Sequence, residues 1–187
     1  MTDYYYKCLP QKTYQNGDYT LEAVQSKHVE KIRQWRNGQM DVLRQSKPIS
    51  KKSQITYYEN HVWPQLNSDT PTQILLAYKY KKKLIGYGGL VNITYIDNEA
   101  EVSFLLDTDR INDKELYRKE FSLFLDLIKQ LASRDLSLYK LCAETYNIRP
   151  LHIEILEYNK FKLEDRLTEN VVINGEYVDS LIHRFIY

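Results

Sequence analysis

The sequence predicts an α+β fold with three layers, in which a mixed, mostly antiparallel central sheet has helices on both faces. Three strand-like runs follow one another between residues 72 and 107, and a long amphipathic helix then precedes a further strand. A chain of 187 residues is long enough to bury a sizeable core. We therefore expect residues 1–187 to form a single domain.

The N-terminal third contains one predicted strand and two predicted helices. Residues 1–17 are polar and rich in tyrosine, and we expect them to form an arm that ends at the turn Asn16-Gly17. A strand is predicted at 18–24, a helix at 27–37, and a second helix at 53–66 that has Ser53 as its cap.

The remainder of the chain alternates between strands and helices. The strongest helix, at 114–133, has one wide apolar face, and Asn112 with Glu115 fits the spacing of a capping box. The crossover from the strand before this helix to the strand after it predicts a parallel, right-handed pair. Strands are predicted at 72–80, 84–96, 99–107, 139–146, 161–174 and 176–187, with another helix at 149–160.

Composition narrows the functional class. Hydrophobic residues make up 43% of the chain, charged residues 27%, and the net charge is +1, which gives no general argument for binding nucleic acid. The two cysteines do not form a disulfide framework. The opening MTDYYYKCLP lacks the apolar run of a signal peptide, and no segment has the length of a membrane span. We expect a cytoplasmic monomer or homodimer.

The segment DTDRINDKELYRK, residues 107–119, joins a predicted strand to the strongest helix and contains no glycine. A helix N-terminus offers free N–H groups to a phosphate, and glycine usually lets the backbone approach such a ligand closely. The position of this segment therefore favours a phosphate site, whereas its composition is unusual for one.

The order of these elements resembles the GNAT superfamily of acyl-CoA-dependent N-acyltransferases. AEVSFLLD (100–107) resembles the central strand of that family, and VINGEYVDSLIHRF (172–185) its last hairpin. ETYNIRPLHIEILEYNKFKLEDRL (144–167) is similar to the segment that ends in Gly-Phe, with Lys160-Phe161 in its place. IRQWRNG (32–38) and RINDKELY (110–117) most resemble a branch that contains ribosomal-protein N-terminal and amino-sugar N-acetyltransferases. The loop at 107–119 departs from the family's glycine-rich pyrophosphate loop.

The resemblance implies that acetyl-CoA is the co-substrate, and it assigns residues to the coenzyme and to the acceptor. The backbone of the central strand would contact the pantetheine arm, as would an asparagine, and the loop would supply amides and cations to the pyrophosphate. The positions so implied for the coenzyme are Ser103, Phe104, Leu105, Leu106, Arg110, Asn112, Lys114, Arg118 and Asn147. The acceptor would lie against Trp35, Arg36 and Asn37 of the first helix.

Acyl transfer to an amine needs a general base, and Glu101 is our first candidate. It lies among apolar residues of a predicted central strand, where a carboxylate is costly unless it is paired or functional. The alternative is a strand end that faces solvent. Glu144, on the strand predicted to run parallel, is a second carboxylate in reach of the same cleft, where it would also face the acceptor.

The general acid is less well defined by the sequence. The family often has a tyrosine five residues before the phenylalanine of Gly-Phe, and here that position holds Leu156. Tyr146 and Tyr158 are the nearest tyrosines and are our candidates. The histidines, among them His152, have no metal-ligand spacing with a carboxylate, so we predict no metal site.

The sequence thus predicts an acetyl-CoA-dependent N-acetyltransferase that acts on a small primary amine. The favoured acceptor is a nucleotide-linked amino sugar of a surface-glycan pathway. One alternative acceptor is a protein N-terminus or a polyamine. Because the loop lacks glycine, a second alternative is a non-catalytic interaction module that has lost acyl-CoA binding.

Overall fold

A computed structural model describes residues 4–187, in which eight strands form one sheet in the order β1-β2-β3-β4-β5-β6-β8-β7. The strands are β1 (Thr13–Asn16), β2 (Tyr19–Ala23), β3 (Ile74–Tyr80), β4 (Lys83–Thr94), β5 (Glu99–Leu106), β6 (Lys140–Tyr146), β7 (Lys162–Ile173) and β8 (Glu176–Ile186). The α-helices are α1 (Val29–Gly38), α2 (Lys51–Tyr57), α3 (Lys114–Arg134) and α4 (Pro150–Tyr158). The predicted fold class is confirmed.

The predicted parallel crossover is also present, but β5 and β6 pair over a short length. They are matched only from Glu99 opposite Lys140 to Glu101 opposite Cys142. Beyond that point β5 continues along β4 as far as Leu106, and β6 continues along β8 as far as Tyr146. The two strands therefore separate, and the edge of β5 that faced β6 becomes open.

Two glycines allow β4 to lie tightly between its neighbours. A Cβ atom at Gly88 would be 2.2 Å from the carbonyl oxygen of Ser103, and one at Gly89 would be 1.9 Å from that of Ile74. Gly89 also has a φ of +144°, which L side chains rarely adopt. Further along β4 the register with β5 shifts between Val91 and Thr94, and Asn92 lies in this bulge with a φ of +50°.

Each face of the sheet has its own core. On one face Phe121 and Phe124 of α3 pack against Phe104 of β5, with the Phe104 and Phe121 ring centroids 4.4 Å apart. On the other face Trp35 of α1 packs in a cluster with Leu105 of β5. Successive strand residues point to opposite faces, so β5 belongs to both cores. Within residues 4–187, no helix combines the length and the apolar character needed to cross a bilayer.

The prediction of an N-terminal arm is wrong for the described part of that segment, while residues 1–3 lie outside the described residues. Tyr6, Leu9 and Tyr14 are buried, and β1 extends the sheet by pairing with β2. The Tyr6 hydroxyl accepts a hydrogen bond of 2.7 Å from the backbone N–H of Leu75. The tyrosines bind the segment to the sheet because each buries a ring and satisfies its hydroxyl.

Two predicted helix caps also need correction. α2 begins at Lys51, and its cap is Ser50, whose hydroxyl accepts from the Ser53 N–H at 3.1 Å. The helix then becomes π-helical at Tyr58–Val62 and 3₁₀ at Trp63–Asn67, where a proline that lacks an N–H falls in the first turn. α3 is capped by Asp113 and not by Asn112.

Candidate active site

A cavity of about 200 Å³ opens where β5 and β6 separate. Its walls come from both strands, from the start of α4 and from the segment that follows α1. We call it the cleft cavity; its lining includes Glu101, Ser103, Phe104, Ala143, Glu144, Tyr146, Arg149, His152, Leu156, Arg36, Val42, Leu43 and Arg44. The separation of the strands therefore creates a site at the centre of the sheet.

A second cavity of about 290 Å³ lies on the α1–α2 side of the sheet. We call it the tyrosine cavity, because Tyr57, Tyr58 and Tyr87 form much of its wall. Arg36 and Ser103 line both this cavity and the cleft cavity. The two spaces are therefore neighbours, and a small molecule that entered one would approach the other.

A third, larger space of about 700 Å³ runs between the N-terminal ends of α3 and α4, and we call it the α3–α4 groove. Its lining holds three cations, those of Lys114, Arg118 and Arg149, and three carboxylates, those of Asp41, Glu115 and Glu154. Arg149 and His152 also line the cleft cavity. The groove and the cleft cavity thus meet at these two side chains.

Two carboxylates occupy the cleft cavity and share one arginine. The Arg44 guanidinium lies 3.0 Å from a carboxylate oxygen of Glu101 and also pairs with Glu144. The Asn92 amide, which the bulge in β4 carries, donates to Glu101 at 2.9 Å. The side chains of Glu101 and Glu144 are 18% and 17% exposed. Both carboxylates are thus held in fixed positions, yet remain open to the cavity.

The open edge of β5 supplies backbone groups to the same cavity. Ser103 to Leu106 lie beyond the last residue that pairs with β6. The amide of Gln39 occupies the far end of this edge by donating to the Leu106 carbonyl at 2.8 Å. Within the part of the chain that the structure describes, the edge between Glu101 and Leu106 is therefore free to bond with an extended ligand, as one strand bonds with another.

The loop before α3 leaves part of the helix N-terminus free. The Asp113 carboxylate accepts from the Leu116 N–H at 3.0 Å. Within residues 4–187 the N–H groups of Lys114 and Glu115 have no partner, and both residues line the α3–α4 groove. The cap thus consumes one first-turn donor and leaves two for an anion.

This arrangement of elements is matched by an acetyltransferase (GNAT) domain over residues 21–182. The chain belongs to the GNAT acetyltransferase family. It is accordingly an N-acetyltransferase whose co-substrate is acetyl-CoA. The open edge of β5, the free first-turn amides and the cations of the groove fit the extended, anionic shape of a coenzyme of this kind.

Solved GNAT structures share the fold of this chain. A spermidine N-acetyltransferase from Vibrio cholerae, in complex with CoA and spermine, superposes with a TM-score of 0.77 and 22% identity, covering 91% of this chain and 96% of that one. A dodecameric structure of spermidine N-acetyltransferase from the same organism gives a TM-score of 0.74 and 21% identity, covering 91% and 95%. No curated protein sequence matches the chain significantly.

Two of the residues predicted to bind the pyrophosphate do not line the groove. Arg110 turns away from the groove and donates to Glu120 at 2.8 Å. The Glu120 carboxylate is fully buried and also accepts a hydrogen bond from the Tyr19 hydroxyl. Asn112 neither caps the helix nor lines the groove. Lys114 and Arg118 do line it, although Arg118 also pairs with Glu154 at 2.9 Å.

Asn147 follows β6, and its N–H donates to the Asp179 carbonyl at 2.9 Å. Its side chain does not line the cleft cavity or the groove. Of the apolar β5 residues, Phe104 lines the cleft cavity, whereas Leu105 and Leu106 point into the cores. The pantetheine role predicted for these leucines therefore concerns their backbone alone.

The α1 residues divide between structural support and cavity lining. Trp35 is 1% exposed and packs in the core. Asn37 holds the segment after α1, because its side chain accepts from the Ile49 N–H at 2.8 Å and donates to the Ile49 carbonyl at 3.0 Å. Arg36 alone of the three reaches the cavities, and it donates to the Tyr87 hydroxyl at 2.8 Å.

The two tyrosines predicted as proton donors differ in position. Tyr146 lines the cleft cavity, and burial together with the neighbouring Glu144 carboxylate raises the pKa of its hydroxyl. Tyr158 is 73% exposed on α4 and lies outside the cleft cavity, the tyrosine cavity and the α3–α4 groove. Its placement does not support a role in the reaction.

Sequence reasoning missed Arg44 and the pair formed by Tyr117 and His152. Arg44 lies in a stretch without clear periodicity, 57 residues before Glu101. In the sequence His152 has no metal-ligand spacing, yet this residue precedes Leu156 by one helical turn and so shares its face of α4. That spacing is the one signal in the sequence that would have placed His152 in the cleft.

Proposed function

We propose that this chain transfers the acetyl group of acetyl-CoA to a small primary amine, with Glu101 as the general base. The observation that supports this most is the position of the Glu101 carboxylate, which is open to the cleft cavity beside the unpaired edge of β5. An amine attacks a thioester only after it loses a proton. A carboxylate next to an extended-ligand site supplies the acceptor for that proton.

The α3–α4 groove is the proposed site of the coenzyme's phosphates. The free N–H groups of Lys114 and Glu115, with the cations of Lys114, Arg118 and Arg149, provide donors and charge for an anion. We infer that these groups replace the glycine-rich loop, because backbone N–H groups donate whatever side chain they carry. This favours an enzyme over a non-catalytic module.

For the acceptor, we infer a polyamine in preference to the amino sugar that the sequence favoured. The carboxylates of Glu101 and Glu144 already hold one cation, Arg44, at the mouth of the cleft. An alkylammonium group would find the same two partners there. The similar enzymes of Vibrio cholerae are named as spermidine N-acetyltransferases, which agrees with this inference.

A nucleotide-linked amino sugar stays the second candidate, because Arg36 favours it. Its guanidinium lies in the tyrosine cavity among hydroxyl groups, and the described residues that line this cavity include no carboxylate. A half-buried arginine among neutral partners attracts a phosphate or carboxylate and repels a polyamine. The two candidates thus place the acceptor differently: a polyamine in the cleft cavity, and an amino sugar in the tyrosine cavity.

A panel of acceptors separates these candidates. We expect acetyl-CoA to acetylate spermidine or spermine with kcat/KM at least about tenfold above a nucleotide-linked amino sugar or a peptide N-terminus. Arg36→Gln is the matched variant. If the amino sugar is the better acceptor and Arg36→Gln abolishes that preference, the polyamine inference is wrong and the second candidate replaces it.

The predicted assembly, a monomer or homodimer, stays a prediction. One of the similar structures is dodecameric, which is a property of that protein. Light scattering coupled to size exclusion measures the mass of this chain directly.

A further inference from the structure

We propose that His152 gives the proton that the departing thiolate takes up, and that Tyr117 and Arg149 hold it in position for this step; the proposal rests on the function proposed above. Neither the family resemblance nor the comparisons assign a role to these three residues. They form a chain of contacts at the junction of the cleft cavity and the α3–α4 groove.

The contacts fix the His152 ring. The Tyr117 hydroxyl lies 2.7 Å from His152 Nδ1, and the Arg149 guanidinium donates to the same hydroxyl at 3.0 Å. Phe121 stacks on the imidazole with the ring centroids 4.2 Å apart. His152 is only 7% exposed, so the ring has little freedom to turn.

The direction of these hydrogen bonds follows from the donors. A guanidinium only donates, so the Tyr117 oxygen must accept from Arg149. The buried hydroxyl proton of Tyr117 has no other acceptor within residues 4–187, so the arrangement that satisfies it directs this proton to Nδ1 of His152. Burial and the Arg149 charge also hold the pKa of His152 well below its usual range, so the ring is neutral. A neutral ring that accepts at Nδ1 has its proton on Nε2.

Nε2 is the ring nitrogen of His152 that remains free to donate a proton. Within residues 4–187 it has no hydrogen-bond partner, and it is not among the buried polar atoms that are closed off from solvent. His152 lines both the cleft cavity and the groove. The His152 residue is thus nine-tenths buried, while its unpartnered Nε2–H stays accessible at the junction of the cleft cavity and the α3–α4 groove.

The amine nitrogen bonds to the carbonyl carbon and loses a proton to Glu101, the C–S bond breaks, and its electron pair goes to sulfur. The sulfur takes the Nε2 proton, while Nδ1 takes the hydroxyl proton of Tyr117. The phenolate that results lies beside the Arg149 cation and regains a proton from water in the groove. Glu101 releases the proton of the amine to solvent, where it neutralises the hydroxide that this water leaves. No oxidant or further reactant is needed.

Tyr146 is the competing donor in the cleft cavity. Burial and the Glu144 carboxylate raise the pKa of its hydroxyl. Burial raises the pKa of the Tyr117 hydroxyl as well, but the Arg149 guanidinium at 3.0 Å acts in the opposite direction and favours the phenolate. The charge pattern therefore supports release of the proton through His152.

The test compares acyl donors whose leaving groups differ in their need for a proton. With acetyl-CoA, His152→Gln should lower kcat about 10²-fold and Tyr117→Phe about tenfold, since general acid catalysis contributes factors of this size. With p-nitrophenyl acetate, whose leaving group departs as a stable anion, both variants should fall less than about threefold. Tyr78→Phe is the matched control, because Tyr78 also buries a bonded hydroxyl but does not line these cavities.

If His152→Gln loses the same activity with both acyl donors, His152 has a structural role and the proposal is overturned. Full kcat in His152→Gln would also overturn it. So would a donor-dependent loss that appears in Tyr146→Phe and not in His152→Gln. If His152→Gln does not fold, the isosteric Tyr117→Phe decides by the same comparison. A wild type that acetylates no amine overturns the proposed function and this step with it, whereas an active wild type with unaffected variants overturns this step alone.

A measurement without turnover gives an independent readout. Imidazole ¹⁵N spectra of the free protein should show His152 neutral, with its proton on Nε2, and Tyr117→Phe should remove the hydrogen bond at Nδ1. A charged ring, or a proton on Nδ1, would overturn the assignment.

Discussion

At the scale of single residues, the chemistry depends on which of two similar carboxylates accepts the proton of the amine. Glu101 and Glu144 are almost equally exposed, and both pair with Arg44. Glu101, unlike Glu144, also accepts a hydrogen bond of 2.9 Å from the Asn92 amide, and this bond fixes the orientation of the Glu101 carboxylate. Glu144 in turn lies within 3.5 Å of Asn170, on the β7 side of the cavity.

Exchange of each glutamate for glutamine is therefore a matched test. Glu101→Gln should lower kcat about 10²-fold while CoA affinity stays unchanged, because the amide accepts no proton. Glu144→Gln should chiefly raise the KM for the acceptor. Steady-state kinetics and calorimetry measure both. A Glu101→Gln enzyme with full kcat/KM would remove Glu101 as the base.

Arg110 and Arg118 provide a second matched pair, because one supports the fold and the other faces the groove. Removing Arg110 leaves the fully buried Glu120 carboxylate without its cation, which should cost about 3–5 kcal/mol in the free energy of unfolding. Arg118 pairs with the exposed Glu154, and its loss should leave the free energy of unfolding almost unchanged.

For the affinity of the chain for CoA, we expect Arg118 to matter more than Arg110, which is the reverse of their order for stability. Arg118→Ala should weaken CoA binding, whereas Arg110→Ala, if it folds, should leave the affinity per folded molecule unchanged. Urea denaturation and calorimetry separate the two quantities. Weaker CoA binding by Arg110→Ala alone would show that the groove has been placed wrongly.

At the scale of elements, β4 is the strand that tolerates least change. Gly89→Ala should destabilise the fold by about 3 kcal/mol or more, since it combines backbone strain at a φ of +144° with a Cβ 1.9 Å from the Ile74 oxygen. Gly175→Ala is the control, because it has a φ of +86° but no atom within 4 Å, and about 1–2 kcal/mol is expected. Equal losses in chemical denaturation would contradict the packing argument.

The elements themselves were largely predictable. Alternation predicted β3 to β5, the wide apolar face predicted α3, and the handedness of crossovers predicted that β5 and β6 are parallel. The helix cap was missed by one position because Asn112 and Asp113 are both good capping residues. β1 was not predicted, because a polar segment rich in tyrosine resembles an exposed arm even when the tyrosine rings are buried.

The site was predictable only in part, for a physical reason. The position of Glu101 on a central strand follows from local pattern. The separation of β5 from β6 depends on how far each strand follows its other neighbour, which no local pattern encodes. The Tyr117–His152 contact joins residues 35 apart, and the Arg44–Glu144 pair joins residues 100 apart.

At the scale of the whole molecule, three buried histidines make stability depend on pH. Burial lowers the pKa of His28 to about 4 and holds those of His152 and His183 below their usual value. The unfolded chain takes up these protons near pH 6.5 but the native state does not, so stability is complete above that pH and falls below it. Each group contributes up to about 1.4 kcal/mol per pH unit.

Urea denaturation between pH 7.5 and 5 measures this effect. The carboxylates with lowered pKa values, such as Glu30 and Asp179, lose their contribution only below about pH 4.5, so they do not disturb this window. A free energy of unfolding that stays constant from pH 7 to pH 5 would show that these histidines become charged in the native state.

The reaction as a whole is tested most directly by transfer of a labelled acetyl group from acetyl-CoA to spermidine, followed by mass spectrometry of the amine. The structure predicts that the label appears on nitrogen with the wild type, and that Glu101→Gln binds the coenzyme but transfers at most about 1% as fast. Saturating acetyl-CoA that delivers no label to spermidine, to an amino sugar or to any other primary amine would contradict the account.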